Sequence, residues 1–188
     1  MKTRIASAML AVTALASAQG AAAQQAACVE ADDLSDTVIY AMPMLYDSVQ
    51  APCSSIFAES TFMTNDAGAF IQQFAVQQDA VWPGTLRLLK AFMTANAAKE
   101  GADTSMTDAI ALMPDDALRP LVDVILVQML NDRLVKDIKV STCSDVAEAM
   151  ELIAPLPPEN IAGLASFIAR QVDLKDPAIC GTEPLSAE

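Results

Sequence analysis

The sequence contains no histidine. Because histidine is the usual general base near neutral pH and the commonest metal ligand in proteins, its absence excludes Ser-His-Asp triads, Cys-His pairs and histidine-based zinc sites within this chain. The chain also lacks a phosphate-binding loop, a dinucleotide-binding G-x-G-x-x-G motif, a calcium-binding loop, a G-x-S-x-G motif and an S-x-x-K motif. We therefore predict no catalytic residue, no metal site and no cofactor.

Long hydrophobic runs are also missing, apart from one short run near the start. Lys2 and Arg4 precede the uncharged residues 5–18, and small residues of the A-x-A type follow at positions 21–23. This order is typical of a secretory signal peptide, whereas a transmembrane anchor needs about 20 apolar residues. We predict a signal peptide over residues 1–23, with cleavage after Ala18 as the alternative, and a periplasmic or secreted protein without a transmembrane anchor. Gln25 argues against lipidation of Cys28.

Basic residues are scarce, with 11 Lys and Arg against 24 Asp and Glu and a formal net charge of −13. Nucleic acids and anionic membranes both require Lys and Arg, so neither is an expected partner. The imbalance is strongest in residues 24–86, which contain eight acidic residues and no basic one. An acidic surface of this kind attracts and steers a basic partner, so we expect the partner to be a basic periplasmic protein.

Strand-like alternation is absent, and the abundant residues are helix formers. Residues 24–188 therefore predict one all-α domain, a small bundle of about seven to nine short helices in hairpins that turn at prolines. The apolar spacing is clearest over residues 115–139. The other predicted helices cover residues 31–41, 43–50, 53–63, 67–81, 85–99, 105–112, 143–153 and 157–172. Trp82-Pro83-Gly84 predicts a sharp break, and the chain from Asp173 onward looks irregular.

Helical periodicity predicts which side chains of these helices face the core. It turns Leu34, Val38, Phe70 and Phe74 inward. It turns a set of acidic residues outward, which we predict as a partner-binding face: Asp32, Asp33, Asp36 and Asp47, with Asp79 on a later helix. An interface also needs an apolar anchor, for which the candidates are Tyr40, Tyr46 and Trp82, with burial in the core as the alternative for each.

The four cysteines, Cys28, Cys53, Cys143 and Cys180, allow three disulfide connectivities. If the chain turns back at Pro43 and again at residues 155–158, the ends of each hairpin come together. This geometry predicts two structural disulfides, Cys28–Cys53 and Cys143–Cys180.

One short stretch resembles part of an enzyme's catalytic region. Glu59-Ser60, followed by Gly68-Ala69 and then Gln72, resembles the catalytic region of lytic transglycosylases, in which a Glu-Ser pair ends a helix and a Gly-Ala-x-Gly-x-x-Gln stretch follows. The resemblance implies that Glu59 is a general acid for glycoside cleavage. The second glycine is missing, however, and the spacing is shorter than in that family.

These observations leave three hypotheses for function. The first is a non-enzymatic interaction or accessory protein of the periplasm, similar to an inhibitor or an immunity protein. The second is a carrier of an apolar small molecule or lipid, because Phe- and Met-rich helices can line a cavity. The third and most remote is a cell-wall glycan-cleaving enzyme.

Overall fold

The computed structural model describes residues 28–100, 112–136, 138–172 and 178–180. The predicted signal peptide lies outside these residues, as does the predicted helix 105–112 except for its last position. None of the described helices is both long enough and apolar enough to cross a membrane.

The described residues form seven α-helices and one pair of two-residue strands. This confirms the predicted all-α bundle with two disulfides. The helices are α1 (Ala31–Phe57), α2 (Thr61–Asn65), α3 (Ala67–Ala75), α4 (Gln78–Glu100), α5 (Asp115–Leu130), α6 (Val140–Ile153) and α7 (Pro158–Gln171). A π-helical turn, Asn131–Val135, continues α5, and the strands are β1 (Cys28–Val29) and β2 (Ala178–Ile179).

Helix α1 continues without a break through Pro43 and Pro52, so the predicted hairpin at Pro43 is wrong. A proline in a helix interior costs about 3 kcal/mol or more, because it removes a hydrogen bond and its ring meets the carbonyl one turn earlier. Burying a large apolar side chain contributes about 1.5–3 kcal/mol, and α1 buries several on both sides of Pro43. Tertiary packing along the whole helix therefore outweighs the local penalty.

Helix α4 also continues where the sequence predicted a break. The chain turns at Val76 and Gln77 instead, and α4 then runs through Trp82-Pro83-Gly84. Pro83 lies in the second turn of the helix, and Trp82 and Leu86 on either side of it are buried. As in α1, burial of neighbouring side chains keeps a proline inside a helix.

Helix α1 is the centre of the bundle, with α3, α4, α5, α6 and α7 packed around it. The aromatic rings of α2 and α3 form one end of the core, where the ring centroids of Phe62 and Phe70 lie 6.3 Å apart and those of Phe70 and Phe74 lie 5.2 Å apart. The inward orientation predicted for Phe70 and Phe74 is confirmed, and Leu34 and Val38 are half-buried.

The disulfides are Cys28–Cys180 and Cys53–Cys143, so the predicted pairs Cys28–Cys53 and Cys143–Cys180 are wrong. The error follows from the missing hairpin. At a rise of 1.5 Å per residue, α1 separates Ala31 from Cys53 by about 33 Å, which is too far for Cys28, three residues before Ala31, to reach Cys53. Parallel pairing of β1 with β2 instead brings Cys180 to Cys28, and the amide of Cys180 donates a hydrogen bond of 2.9 Å to the carbonyl of Val29.

Candidate apolar groove

An apolar groove with a volume of about 190 Å³ lies between α1 and α6. Each helix contributes residues at positions i, i+3, i+4 and i+7, the spacing that places side chains on one helical face. The lining residues are Met42, Leu45, Tyr46 and Val49 from α1 and Val146, Ala149, Met150 and Ile153 from α6.

The Cys53–Cys143 disulfide determines the geometry of this groove. Cys53 follows Val49 by one helical turn and Cys143 precedes Val146 by nearly one turn, so both cysteines continue the lining faces of their helices. Both are buried, and their Cα atoms lie 5.4 Å apart. The two helices therefore run antiparallel, with a covalent bond at one end of the groove that fixes their separation.

The groove lies between two helices whose charged residues are all acidic. Neither α1 nor α6 contains a Lys or Arg. The exposed acidic residues of this pair beyond Pro43 are Asp47 on α1 and Asp145, Glu148 and Glu151 on α6. By helical spacing Asp145 lies nearest to the lining face of α6, whereas Asp47, Glu148 and Glu151 lie on other faces of their helices.

The predicted acidic face is divided by the packing of α4 against α1. Asp32 and Asp47 are exposed, but Asp33 is only 6% exposed, so its predicted outward orientation is wrong. The Asp33 carboxylate accepts hydrogen bonds from Nη2 and Nε of Arg87, at 2.7 and 3.0 Å. The Asp33 carboxylate is therefore used in an ion pair within the chain and is not presented to a partner protein.

Asp36 lies beside this ion pair and is half-buried against Gly84. Burial raises the pKa of the Asp36 carboxyl, the negative charges of Asp33 and Asp32 raise it further, and the positive charge of Arg87 partly opposes them. Of the four residues predicted to form the partner face, Asp47 is level with the groove along α1, but it shares an outward face with Ala51, one turn later, and does not line the groove.

The three candidate aromatic anchors have different surroundings. Tyr40 and Trp82 are buried in the core, with ring centroids 5.4 Å apart, while Tyr46 is half-buried in the groove wall. The guanidinium of Arg119 lies 5.5 Å from the Tyr40 ring centroid and 5.8 Å from that of Trp82. Tyr46 is therefore the candidate anchor that a partner can contact.

The Tyr40 hydroxyl connects α1 with α5 at a point away from the groove. It donates a 2.5 Å hydrogen bond to Oδ1 of Asp123 and accepts one of 3.2 Å from Nε of Arg119. Burial and the bond to Asp123 raise the pKa of Tyr40 to about 12. Tyr40 is thus a neutral hydrogen-bond donor at physiological pH, and its role in the described structure is to join two helices.

Glu59 and Ser60 occupy the turn between α1 and α2. The Ser60 hydroxyl accepts a 3.3 Å hydrogen bond from the amide of Met63 and so caps the start of α2. A general acid for glycoside cleavage lies in an apolar pocket, whereas Glu59 is exposed. The geometry of this segment accounts for a helix start and gives no support to glycan cleavage.

The described residues contain no group of three His, Cys, Asp or Glu side chains placed to hold a metal ion.

The groove itself was not predicted. Its sequence signal is the i, i+3, i+4, i+7 spacing at 42–49 and again at 146–153, each set next to a cysteine. Because the sequence predicts a turn at Pro43, Met42 falls between the predicted helices 31–41 and 43–50 and is separated from Leu45, Tyr46 and Val49.

A scan against protein-family models finds no match to this chain, and searches of curated proteins and of solved structures find no similar protein. Function therefore has to be inferred from the geometry of the described residues.

Proposed function

We propose that this chain is an exported protein that acts by binding another protein, and that a basic partner places one apolar side chain in the groove between α1 and α6. The observation that carries the proposal is the groove itself, an apolar recess between two helices that contain no basic residue. An apolar anchor in a pocket supplies affinity at protein interfaces, and charge around it supplies steering and specificity.

The volume of the groove favours a side chain over a whole small molecule. Binding sites for drug-sized ligands have volumes of about 300–1,000 Å³, whereas a cavity of about 150 Å³ holds a single benzene molecule. At about 190 Å³, the groove matches one aromatic or branched aliphatic side chain. Met42 and Met150 in the lining are flexible and polarizable, which suits contact with an aromatic ring.

The charge of the groove's surroundings indicates the chemistry of the partner. Asp145 lies nearest to the groove, and Asp47, Glu148 and Glu151 are exposed on outer faces of the same two helices. Their combined field attracts the Lys and Arg side chains of a basic partner. Such attraction raises the association rate at low ionic strength and weakens as salt screens it. A neutral or acidic partner would gain nothing from this arrangement.

The disulfides support an extracytoplasmic location. All four cysteines are paired, and disulfides form and persist in oxidising compartments such as the bacterial periplasm. This agrees with the signal peptide predicted over residues 1–23.

The alternative is a carrier for a small apolar molecule, which the same groove would support if its walls separate. The two functions differ in a simple observable. A carrier purified without denaturation contains an apolar ligand that organic solvent extracts, whereas a protein-binding groove contains none.

The experiment is affinity capture of basic periplasmic proteins with the immobilised disulfide-bonded chain, at low and at high salt. Ala149→Trp fills the mouth of the groove, and Ala51→Trp places the same side chain on the exposed far side of α1 as the matched control. We expect one basic protein to be retained at low salt by the wild type and by Ala51→Trp, and to be lost with Ala149→Trp.

Asp145→Asn should weaken retention without abolishing it, since one exposed charge contributes about 0.2–1 kcal/mol. Retention that is equal on the Ala149→Trp and wild-type columns, or that is insensitive to salt, contradicts the proposal.

A further inference from the structure

The two disulfides lie at opposite ends of helix α1. Cys53 is near the end of α1, and its Cα atom lies 5.4 Å from that of Cys143. Cys28 precedes the start of α1, and its Cα atom lies 5.0 Å from that of Cys180. About 33 Å of helix therefore separates the two bonds. Because a disulfide requires Cα atoms about 4.4–6.8 Å apart, no cysteine of one bond can pair with a cysteine of the other while α1 is intact.

The cysteines pair out of chain order. The first pairs with the fourth and the second with the third, with separations of 152 and 90 residues. The in-order pairs, Cys28–Cys53 and Cys143–Cys180, close loops of only about 25 and about 37 residues. The entropic cost of closing a loop rises as the logarithm of its length. An unfolded chain therefore forms Cys28–Cys53 about 15 times more readily than Cys28–Cys180, and Cys143–Cys180 about four times more readily than Cys53–Cys143.

The proposed export adds a bias in the same direction. A chain exported from its N-terminus brings Cys28 and Cys53 into the oxidising compartment before Cys143 and Cys180. At that stage Cys28–Cys53 is the one bond that the four cysteines allow. This step rests on the proposed extracytoplasmic location, whereas the bias from loop entropy applies to any unfolded form of the chain.

A Cys28–Cys53 bond prevents the bundle from forming. It ties the start of α1 to a residue near its end, and α1 is the helix around which α3, α4, α5, α6 and α7 pack. An oxidant cannot correct such a bond, because both of its cysteines are already oxidised. The bond has to be exchanged by an attacking thiolate. Once both in-order pairs have formed, this chain has no fifth cysteine to supply one.

We propose that a thiol–disulfide isomerase is a folding partner of this protein and converts the in-order pairs into the native ones by three exchanges. The isomerase thiolate attacks the Cys28 sulfur, forms a mixed disulfide with it and releases the Cys53 thiolate. The Cys53 thiolate attacks Cys143, forms the first native bond and releases the Cys180 thiolate. The Cys180 thiolate attacks Cys28 in the mixed disulfide, which forms the second native bond and regenerates the isomerase thiolate. Two disulfides of the chain are broken and two are formed, so no oxidant or reductant is consumed.

The test starts from two samples of the same protein in concentrated urea without free thiol. One sample retains its native disulfides, and the other is reduced and then reoxidised in the urea. Peptide mapping of the reoxidised sample should find Cys28–Cys53 as the commonest bond, with both native bonds in fewer than about one molecule in ten. On dilution, the sample with native disulfides is the matched control and should recover the native far-UV circular dichroism spectrum, whereas the reoxidised sample should not.

Protein disulfide isomerase with reduced glutathione should then convert the reoxidised sample to the native bonds about tenfold faster than reduced glutathione alone. Glutathione disulfide alone should leave that sample unchanged. In bacteria that lack a periplasmic disulfide isomerase, the exported protein should yield a Cys28–Cys53 peptide that disappears when the isomerase is restored.

Three results would overturn the proposal: native bonds as the main product in urea, recovery of the reoxidised sample without thiol, or native bonds in bacteria with and without the isomerase. The inference depends on the disulfide connectivity and not on the α1–α6 groove. It and the proposed partner binding can therefore fail independently.

Discussion

Two acidic residues one helical turn apart, Asp33 and Asp36, have different surroundings. Asp33 accepts three hydrogen bonds from the Arg87 guanidinium, which compensate for its burial. Asp36 has no such partner in the described structure and lies beside the negative charges of Asp33 and Asp32. Periodicity places both on one side of α1, but it does not indicate that an arginine about fifty positions later covers only one of them.

Substitution of Asp36 should therefore have a pH-dependent effect on stability. The folded-state pKa of Asp36 is raised from 3.8, so the wild type has its full stability contribution from this group below pH 3.8 and loses it as the pH rises through the raised value. Asp36→Asn does not ionise. We expect its free energy of unfolding to exceed that of the wild type at pH 7 and the difference to vanish in acid.

Urea unfolding over a pH series measures this difference. Asp47→Asn removes the same charge at an exposed position of α1 and controls for net charge. A gain for Asp36→Asn that is the same at pH 7 and below pH 3.8 would mean that the amide improves packing and that charge is not the cause.

At the scale of the helices, the interior prolines and Gly84 show where local preference gives way to packing. At Gly84, inside α4, the side chain of Asp36 occupies the space of a Cβ, which would clash with Asp36 Oδ2. The sequence identifies Pro83-Gly84 as a break, and only the packing of α1 against α4 shows that the glycine is needed for a close approach of two helices.

Gly84→Ala should thus destabilise the fold, although alanine is favoured over glycine in a helix interior by about 1 kcal/mol. We expect a loss of about 1–3 kcal/mol, the usual cost of overpacking. Gly68→Ala in α3, where no atom lies within 4 Å of the new Cβ, is the control and should be neutral or slightly stabilising. Chemical denaturation of the two variants decides the matter, and a stabilised Gly84→Ala would show that Asp36 moves aside without cost.

For the whole molecule, the sequence predicts the helical class and the pairing of all four cysteines, but it divides α1 into three shorter helices and gives the wrong disulfide connectivity. That error has one cause. A proline is a local signal, but whether it ends a helix depends on how much apolar surface lies on both sides of it, and this is a property of the assembled bundle. Once α1 is continuous, the antiparallel α6 brings Cys143 to Cys53, and the groove beside this disulfide follows.

The two disulfides should differ in their response to reductant. Cys53 and Cys143 are buried, whereas Cys28 and Cys180 are half-buried. Because thiol–disulfide exchange requires access to sulfur, mild reduction of the folded protein should open Cys28–Cys180 first. Peptide mapping after differential alkylation checks both the order and the connectivity, and a Cys28–Cys53 peptide would contradict the fold.

Loss of either bond should be costly because both close long loops, with sequence separations of 152 and 90 residues. The chain-entropy estimate is about 4–5 kcal/mol for each. Removal of Cys53–Cys143 should in addition release one end of the groove, so it should weaken partner binding more than removal of Cys28–Cys180 does.

The central claim is that the α1–α6 groove accepts an apolar side chain from a basic partner, and methyl NMR of methionine-labelled protein tests it most directly. Met42 and Met150 line the groove, while Met63 in the core and Met129 on α5 lie elsewhere. The probe is a lysine-rich helical peptide with one phenylalanine, and the control peptide has alanine in its place. We predict saturable shifts of the Met42 and Met150 methyl signals with the phenylalanine peptide alone, weakened by salt. Equal shifts with both peptides, or shifts at Met129 while Met42 and Met150 stay unchanged, would contradict the account.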